Sequence, residues 1–156
     1  MAGVRRYNKL QAVTMFLADA ELSRALPPTI LLVDDNPKAL ESIEALLRAA
    51  GAEVVSTFSP FGATNMVRHH KPDVVVLDVM MPGLSGAGLG MVIRKESDVP
   101  IVYFSAMTEE ALRDLAVQTP RASYVLKSEG APYLIMEIGR WLRMTRKRTG
   151  HIASIP

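Results

Sequence analysis

The sequence contains no cysteine. That excludes a disulfide framework, a cysteine metal site and a thiol nucleophile, and it fits a reducing compartment. No apolar run approaches the roughly 18–20 residues that a membrane span needs. Residues 1–28 faintly imitate a secretory leader, with Arg5, Arg6 and Lys9 ahead of AVTMFLADA. The apolar core is too short, holds Thr14 and runs into Asp19 and Glu21, so the leader reading fails. There is no internal repeat and no low-complexity segment.

What is present suits one folded domain. The 156 residues, 49% hydrophobic and 22% charged, are enough to bury a core without staples. The net charge of +2 hides an asymmetry, because residues 29–139 hold nine Lys/Arg against fourteen Asp/Glu. RWLRMTRKR (Arg140 to Arg148) adds five basic residues and no acid. A solvated helix end matched to the helix dipole explains that run better than a nucleic-acid or membrane surface. The opening segment, read as a helix, sets Val13, Phe16, Leu17 and Ala20 on one stripe. That stripe either caps the domain or meets a second copy or a partner helix.

After Pro27 and Pro28 the chain alternates. TILLV (29–33), EVVSTF (53–58), PDVVVLDV (72–79), VPIVYFSA (99–106) and ASYVLK (122–127) read as strands. Helices follow each of them, from Asn36, Pro60, Gly86, Thr108 and Ala131. Asn36 as N-cap, Pro37 in the first turn and Gly51 past the end delimit the first of these. Apolar strands alternating with helices predict an α/β three-layer sandwich, a flavodoxin-like (βα)5 fold with a parallel sheet in order 2-1-3-4-5.

VVVLDVMMPGLSG (Val74 to Gly86) interrupts an apolar strand with one carboxylate, Asp78. A charge there is costly unless something nearby needs it. In the predicted topology Asp34 and Asp35 end the first strand beside it, Ser105 ends the fourth and Lys127 the fifth. Three crowded carboxylates repel, and a hard cation with oxygen ligands such as Mg²⁺ relieves them. A carboxylate that attacks phosphorus needs a metal, a lysine point charge and a hydroxyl donor, and all four roles can be filled here.

LLVDDNP, VVLDVMMPGLSG, IVYFSA and YVLKS together resemble the receiver domain of bacterial two-component response regulators, over roughly Thr29 to Met144. The resemblance divides the chain into a partly helical extension (1–28), a receiver domain (29–144) and a basic tail (145–156). It implies that Asp78 accepts a phosphoryl group from a histidine kinase or histidine phosphotransfer protein. It further implies that Mg²⁺ is held by Asp35 directly, Asp34 largely through water, Asp78, and the backbone carbonyl of Met80. Ser105 matches the switch hydroxyl, Lys127 the invariant lysine, and Tyr124 the switch aromatic that packs inward behind Ser105. Pro82 and Gly86 match the turn after the acceptor. Such a protein is no enzyme beyond its own phosphorylation and dephosphorylation, and it is cytoplasmic.

By the same resemblance, Met80 and Met107 occupy the positions that tune the lifetime of the phosphoryl group. Neither orients an attacking water, so self-dephosphorylation should be slow, while the small Ala106 leaves the group accessible. Most members carry proline after the lysine, often with a cis bond; Ser128 stands there instead. Either a strained bond or a different loop is expected, since a non-proline cis bond costs about 2.5–4 kcal/mol. The readout face is the helix from Thr108, the strand from Ala122 and the helix from Ala131.

Only TRKRTGHIASIP follows the closing helix, so a stand-alone receiver is expected, one that binds a downstream protein or a second copy, or passes the phosphoryl group on. A phosphorylation-independent adaptor is the alternative, against which the complete acidic, hydroxyl and lysine set argues. GAGLG (Gly86 to Gly90) resembles a dinucleotide turn, but Met91 breaks the G-x-G-x-x-G spacing. No glycine-rich loop follows the first strand, which makes a flavodoxin-like cofactor binder a poor reading. His69 and His70, adjacent late in a helix, point different ways and read as a solvated end.

Overall fold

The computed structural model describes residues 8–21 and 27–152, with side chains over 8–16 and 27–145. Among these, five strands form one sheet: β1 (Thr29–Val33), β2 (Glu53–Thr57), β3 (Val74–Leu77), β4 (Ile101–Ser105) and β5 (Ala122–Leu126). The helices are α1 (Lys9–Glu21), α2 (Pro37–Ala49), α3 (Ala63–His70), α4 (Gly86–Glu96), α5 (Glu109–Gln118) and α6 (Ala131–Ile152). All strand pairs are parallel and the order is β2-β1-β3-β4-β5, the flavodoxin-like arrangement expected.

The period-2 geometry of a strand sends alternate residues to opposite faces. Ile30, Leu32, Val74, Val76, Val102 and Phe104 pack against α2 and α6. Leu31, Val33, Val75, Leu77, Ile101 and Tyr103 pack against α3, α4 and α5. Burying each such side chain contributes about 1.5–3 kcal/mol. Helix α2 begins as its sequence dictates, with Asn36 Oδ1 accepting from the N–H groups of Lys38 and Ala39 at 3.1 and 3.3 Å.

Helix α1 is a third occupant of the α2/α6 layer. Phe16 is buried in that core, Val13 packs against it, and Ala12, outside the expected stripe, is buried as well. Leu17 and Ala20 lie outside the described side chains. On the same layer Trp141 is buried, and its indole N–H donates to Ser123 Oγ at 2.8 Å. The Arg121 and Arg140 guanidinium carbons lie 5.9 and 5.1 Å from its ring centroid, within cation–π range.

The glycines of α4 are spacers between packed groups. A Cβ on Gly90 would overlap the hydroxyl of Tyr103. That hydroxyl is buried 2.9 Å from Thr119 Oγ1, whose own hydrogen goes to the Leu115 carbonyl at 2.9 Å, so Tyr103 is the donor. Burial raises the Tyr103 phenol above its ordinary pKa. Gly90→Ala gains about 1 kcal/mol of helix propensity. The overlap costs more, and a net loss of about 1–2 kcal/mol in urea denaturation is expected. Tyr103→Phe in the same chain should recover part of it; an unchanged Gly90→Ala protein would show that the contact is not what keeps glycine there.

Candidate functional site at the carboxyl rim of the sheet

Strand register builds the site. Val33 stands opposite Leu77, so the next residues, Asp34 and Asp78, are neighbours at the rim. The ladder continues past the strands: the Asp78 N–H donates to the Val33 carbonyl at 2.9 Å and the Asp34 N–H to that of Thr57 at 3.2 Å. Both carboxylates are about 4% exposed. Each is held in the same way, with one oxygen on the N–H two residues onward. Asn36 N donates to Asp34 Oδ1 at 2.9 Å, and Met80 N to Asp78 Oδ1 at 3.1 Å. The other oxygens meet the ammonium of Lys127, at 2.8 Å for Asp34 and 3.2 Å for Asp78.

Burial raises the Asp34 carboxyl above its ordinary pKa, an effect that the Lys127 and Asn36 hydrogen bonds reduce and the nearby Asp78 charge adds to. Burial also pulls the Lys127 ammonium down, but the hydrogen bond and charge of Asp34 and the charge of Asp78 outweigh it, and the net is upward. Lys127 is thus a firm cation. No cis peptide bond occurs among the described residues. The chain after β5 instead makes a single 3-10 turn, Lys127–Glu129, in which Glu129 Oε2 accepts from the Leu126 N–H at 2.9 Å. Of the two outcomes expected for a chain with Ser128 in place of proline, the different loop is realised, and it still delivers the lysine.

Asp35 is exposed, and one carboxylate oxygen from each of Asp34, Asp35 and Asp78 lies within 4.8 Å of the others. Three carboxylates against one ammonium leave net negative charge, and an all-oxygen donor set of this kind fits a hard divalent cation. Ser105 ends β4 fully buried, and its hydroxyl has no hydrogen-bond partner among the described residues. An unpaired buried hydroxyl costs about 1–3 kcal/mol, so it marks a position where an acceptor is missing.

Met80 is exposed over the rim, Ala106 is exposed, and Met107 is half-buried against the α5 side of the core. Pro82 is exposed in the turn before α4, and a Cβ on Gly86 would overlap the backbone carbonyl oxygen of Asp78. Glycine there lets the start of α4 press against the carboxylate loop. Tyr124 is half-buried against the α3/α4/α5 side of the core, and its hydroxyl donates to Glu109 Oε1 at 3.2 Å. His69 and His70 are exposed, their rings edge-to-face at 4.8 Å, apart from the carboxylate group.

Sequence reasoning missed the two backbone N–H donors, of Asn36 and Met80, and it missed Glu109 and its neighbour Arg113. The donors follow from turn geometry that pattern does not reveal. Glu109 carried a signal in its position, four residues after Ser105 at the head of a helix.

The chain matches the response regulator receiver domain family over residues 30–138. It is 36% identical over 118 residues to a probable transcriptional regulator of Guillardia theta, covering 76% of this chain and 46% of that protein. It is 32% identical over 126 residues to a DNA-binding response regulator of Mycolicibacterium smegmatis, covering 81% and 55%. The chain therefore spans about half the length of these curated relatives. Among solved structures, the receiver domain of a Francisella response regulator superposes with a TM-score of 0.70 at 25% identity, covering 76% of this chain and 98% of that one. The BeF3-activated receiver domain of Klebsiella pneumoniae RstA gives 0.68 at 27%, covering 74% and 98%. The chain belongs to the response regulator receiver domain family, a class of signalling domain. No described helix is long and apolar enough to cross a membrane.

Removing the shared cation should expose the cost of the buried carboxylates. Lys127→Met is expected to destabilise the fold by about 2 kcal/mol near neutral pH, below the usual cost for a buried pair because the ammonium is partly solvated. The loss should shrink in acid, where the Asp34 carboxyl, raised by burial, takes up its proton. Urea denaturation at both pH values checks this.

Proposed function

We propose that the chain is a phosphorylation-dependent signalling switch with Asp78 as its phosphoacceptor. The observation that carries this reading is the rim itself, where three carboxylates and Lys127 stand beside a buried hydroxyl with no partner. In this reading a carboxylate oxygen of Asp78 attacks the phosphorus of a phosphohistidine on a histidine kinase or histidine phosphotransfer protein. The P–O bond forms, the P–N bond breaks, and the imidazole leaves with its electron pair and takes up a proton.

Lys127 Nζ neutralises charge on the transferred group, and Ser105 donates to one of its oxygens. Asp34, Asp35, Asp78 and the Met80 carbonyl are the residues that would hold Mg²⁺. When bound, that ion supplies charge neutralisation for the phosphoryl oxygens. The protein catalyses nothing beyond its own phosphorylation and dephosphorylation.

A charge-assisted bond from Ser105 contributes about 1.5–3 kcal/mol. Moving an equilibrium from 1:99 to 99:1 takes about 5.5 kcal/mol. The remainder is assigned to Tyr124 turning inward and to a downstream protein, or a second copy, docking on the α5–β5–α6 face. The switch unit is 29–144, with the N-terminal extension and basic tail as additions, and its setting is the cytoplasm. DNA binding belongs to the Mycolicibacterium relative by its name; nothing at this rim is a groove reader.

With Mg²⁺ and acetyl phosphate, intact mass should rise by one phosphoryl group per chain, and chelator or Asp78→Asn should abolish the gain. No gain from a folded protein would turn the reading toward a phosphorylation-independent adaptor. Label should also leave the purified phosphoprotein slowly, because neither Met80 nor Met107 orients a water. Met80→Asn, which supplies an amide for that purpose, is expected to speed the loss by up to about tenfold.

A further inference from the structure

The chain has nine methionines and no cysteine. A two-electron oxidant such as hydrogen peroxide therefore meets no thiol, and thioethers are its sulfur targets. Solvent access sets the order in which they react. Among the described methionines Met80 is the most open, at 59% against 45% for Met91 and Met144 and 41% for Met15. Met15 lies on α1, Met91 on α4 and Met144 on α6, whereas Met80 lies on the rim itself. Its N–H donates to Asp78 Oδ1 at 3.1 Å, which fixes its backbone against that carboxylate. Met81 is buried in the core and Met107 is half-buried against it. Exposure thus directs oxidation to a sulfur two residues from Asp78.

We infer that Met80 is an oxidation site and that its sulfoxide shortens the life of a phosphoryl group on Asp78. The inference rests on the reading of Asp78 as phosphoacceptor. A lone pair of the Met80 sulfur attacks one oxygen of hydrogen peroxide; the S–O bond forms and the O–O bond breaks. The departing hydroxide takes the proton from the oxygen now on sulfur, which leaves a sulfoxide and water. Sulfur is oxidised by two electrons and the peroxide is reduced. A thioether is a weak hydrogen-bond acceptor and leaves a nearby water unaligned. The sulfoxide oxygen is polar and sits on a flexible, unbranched side chain rooted beside the acyl phosphate. A water that donates to it is held where its oxygen can bond to phosphorus. The bond from phosphorus to the Asp78 oxygen then breaks, inorganic phosphate leaves, and the carboxylate is restored. The oxidised chain resets faster than the reduced one.

The test treats the full chain with hydrogen peroxide, maps the added oxygen by peptide mass, and removes the peroxide. Treated and untreated protein are then charged with acetyl phosphate and Mg²⁺, and the loss of the phosphoryl mass is followed. Met80 should gain oxygen before Met15, Met91 and Met144. The treated protein should lose its phosphoryl group about fivefold faster, well below what a fully positioned base supplies. Met80→Leu, compared with its own untreated form, should show no acceleration. Oxidation of the other methionines ahead of Met80, or an unchanged lifetime once Met80 is oxidised, would overturn the inference. Equal acceleration in Met80→Leu would overturn it too, by placing the cause at another sulfur. Failure of the oxidised protein alone to take up the group would overturn the effect on lifetime. Failure of the untreated protein to take it up would instead overturn the phosphoacceptor reading.

Discussion

The ammonium of Lys127 lies between two carboxylates that water barely reaches, and the rim is organised around that contact. Two like charges at neighbouring strand ends repel, and burial disfavours both. One cation bridging both, with one backbone N–H for each, offsets that cost. The arrangement leaves the exposed Asp35 and a net negative charge at the mouth of the site.

The body of the domain serves that rim by close packing. Gly86 lets α4 start against the backbone of Asp78, and Gly90 leaves room for the hydroxyl of Tyr103 further along the same helix. The site-bearing loop is therefore backed by a helix that has no slack at two points one turn apart. The α1 helix adds to the opposite layer. The family match spans 30–138, yet Ala12 and Phe16 lie in the same core as Leu47 and Ile138. The extension is part of the packing of the domain.

Ser105 and Tyr124 occupy adjacent strands on the same face of the sheet, the one packed against α3, α4 and α5. One has a buried hydroxyl with no hydrogen-bond partner among the described residues, and the other has a hydroxyl bonded to Glu109 at the head of α5. Only Ala106, Met107 and Thr108 separate Ser105 from Glu109, the first residue of α5.

Much of this was legible in the sequence. Apolar runs of strand length separated by capped helices required a covered parallel sheet, and the position of each polar residue at the end of a run placed Asp34, Asp78, Ser105 and Lys127 at one rim. Those are local signals, written in periodicity and in breaks of it. The tertiary structure alone decided that Lys127 bridges both carboxylates and that a 3-10 turn delivers it. It also decided that the glycine run of α4 answers to Tyr103 and Asp78, and that Tyr124 is held by Glu109. Each of these depends on which atoms meet across elements distant in the chain. A pattern along the chain specifies the face a residue takes, and only the packed fold specifies its partner.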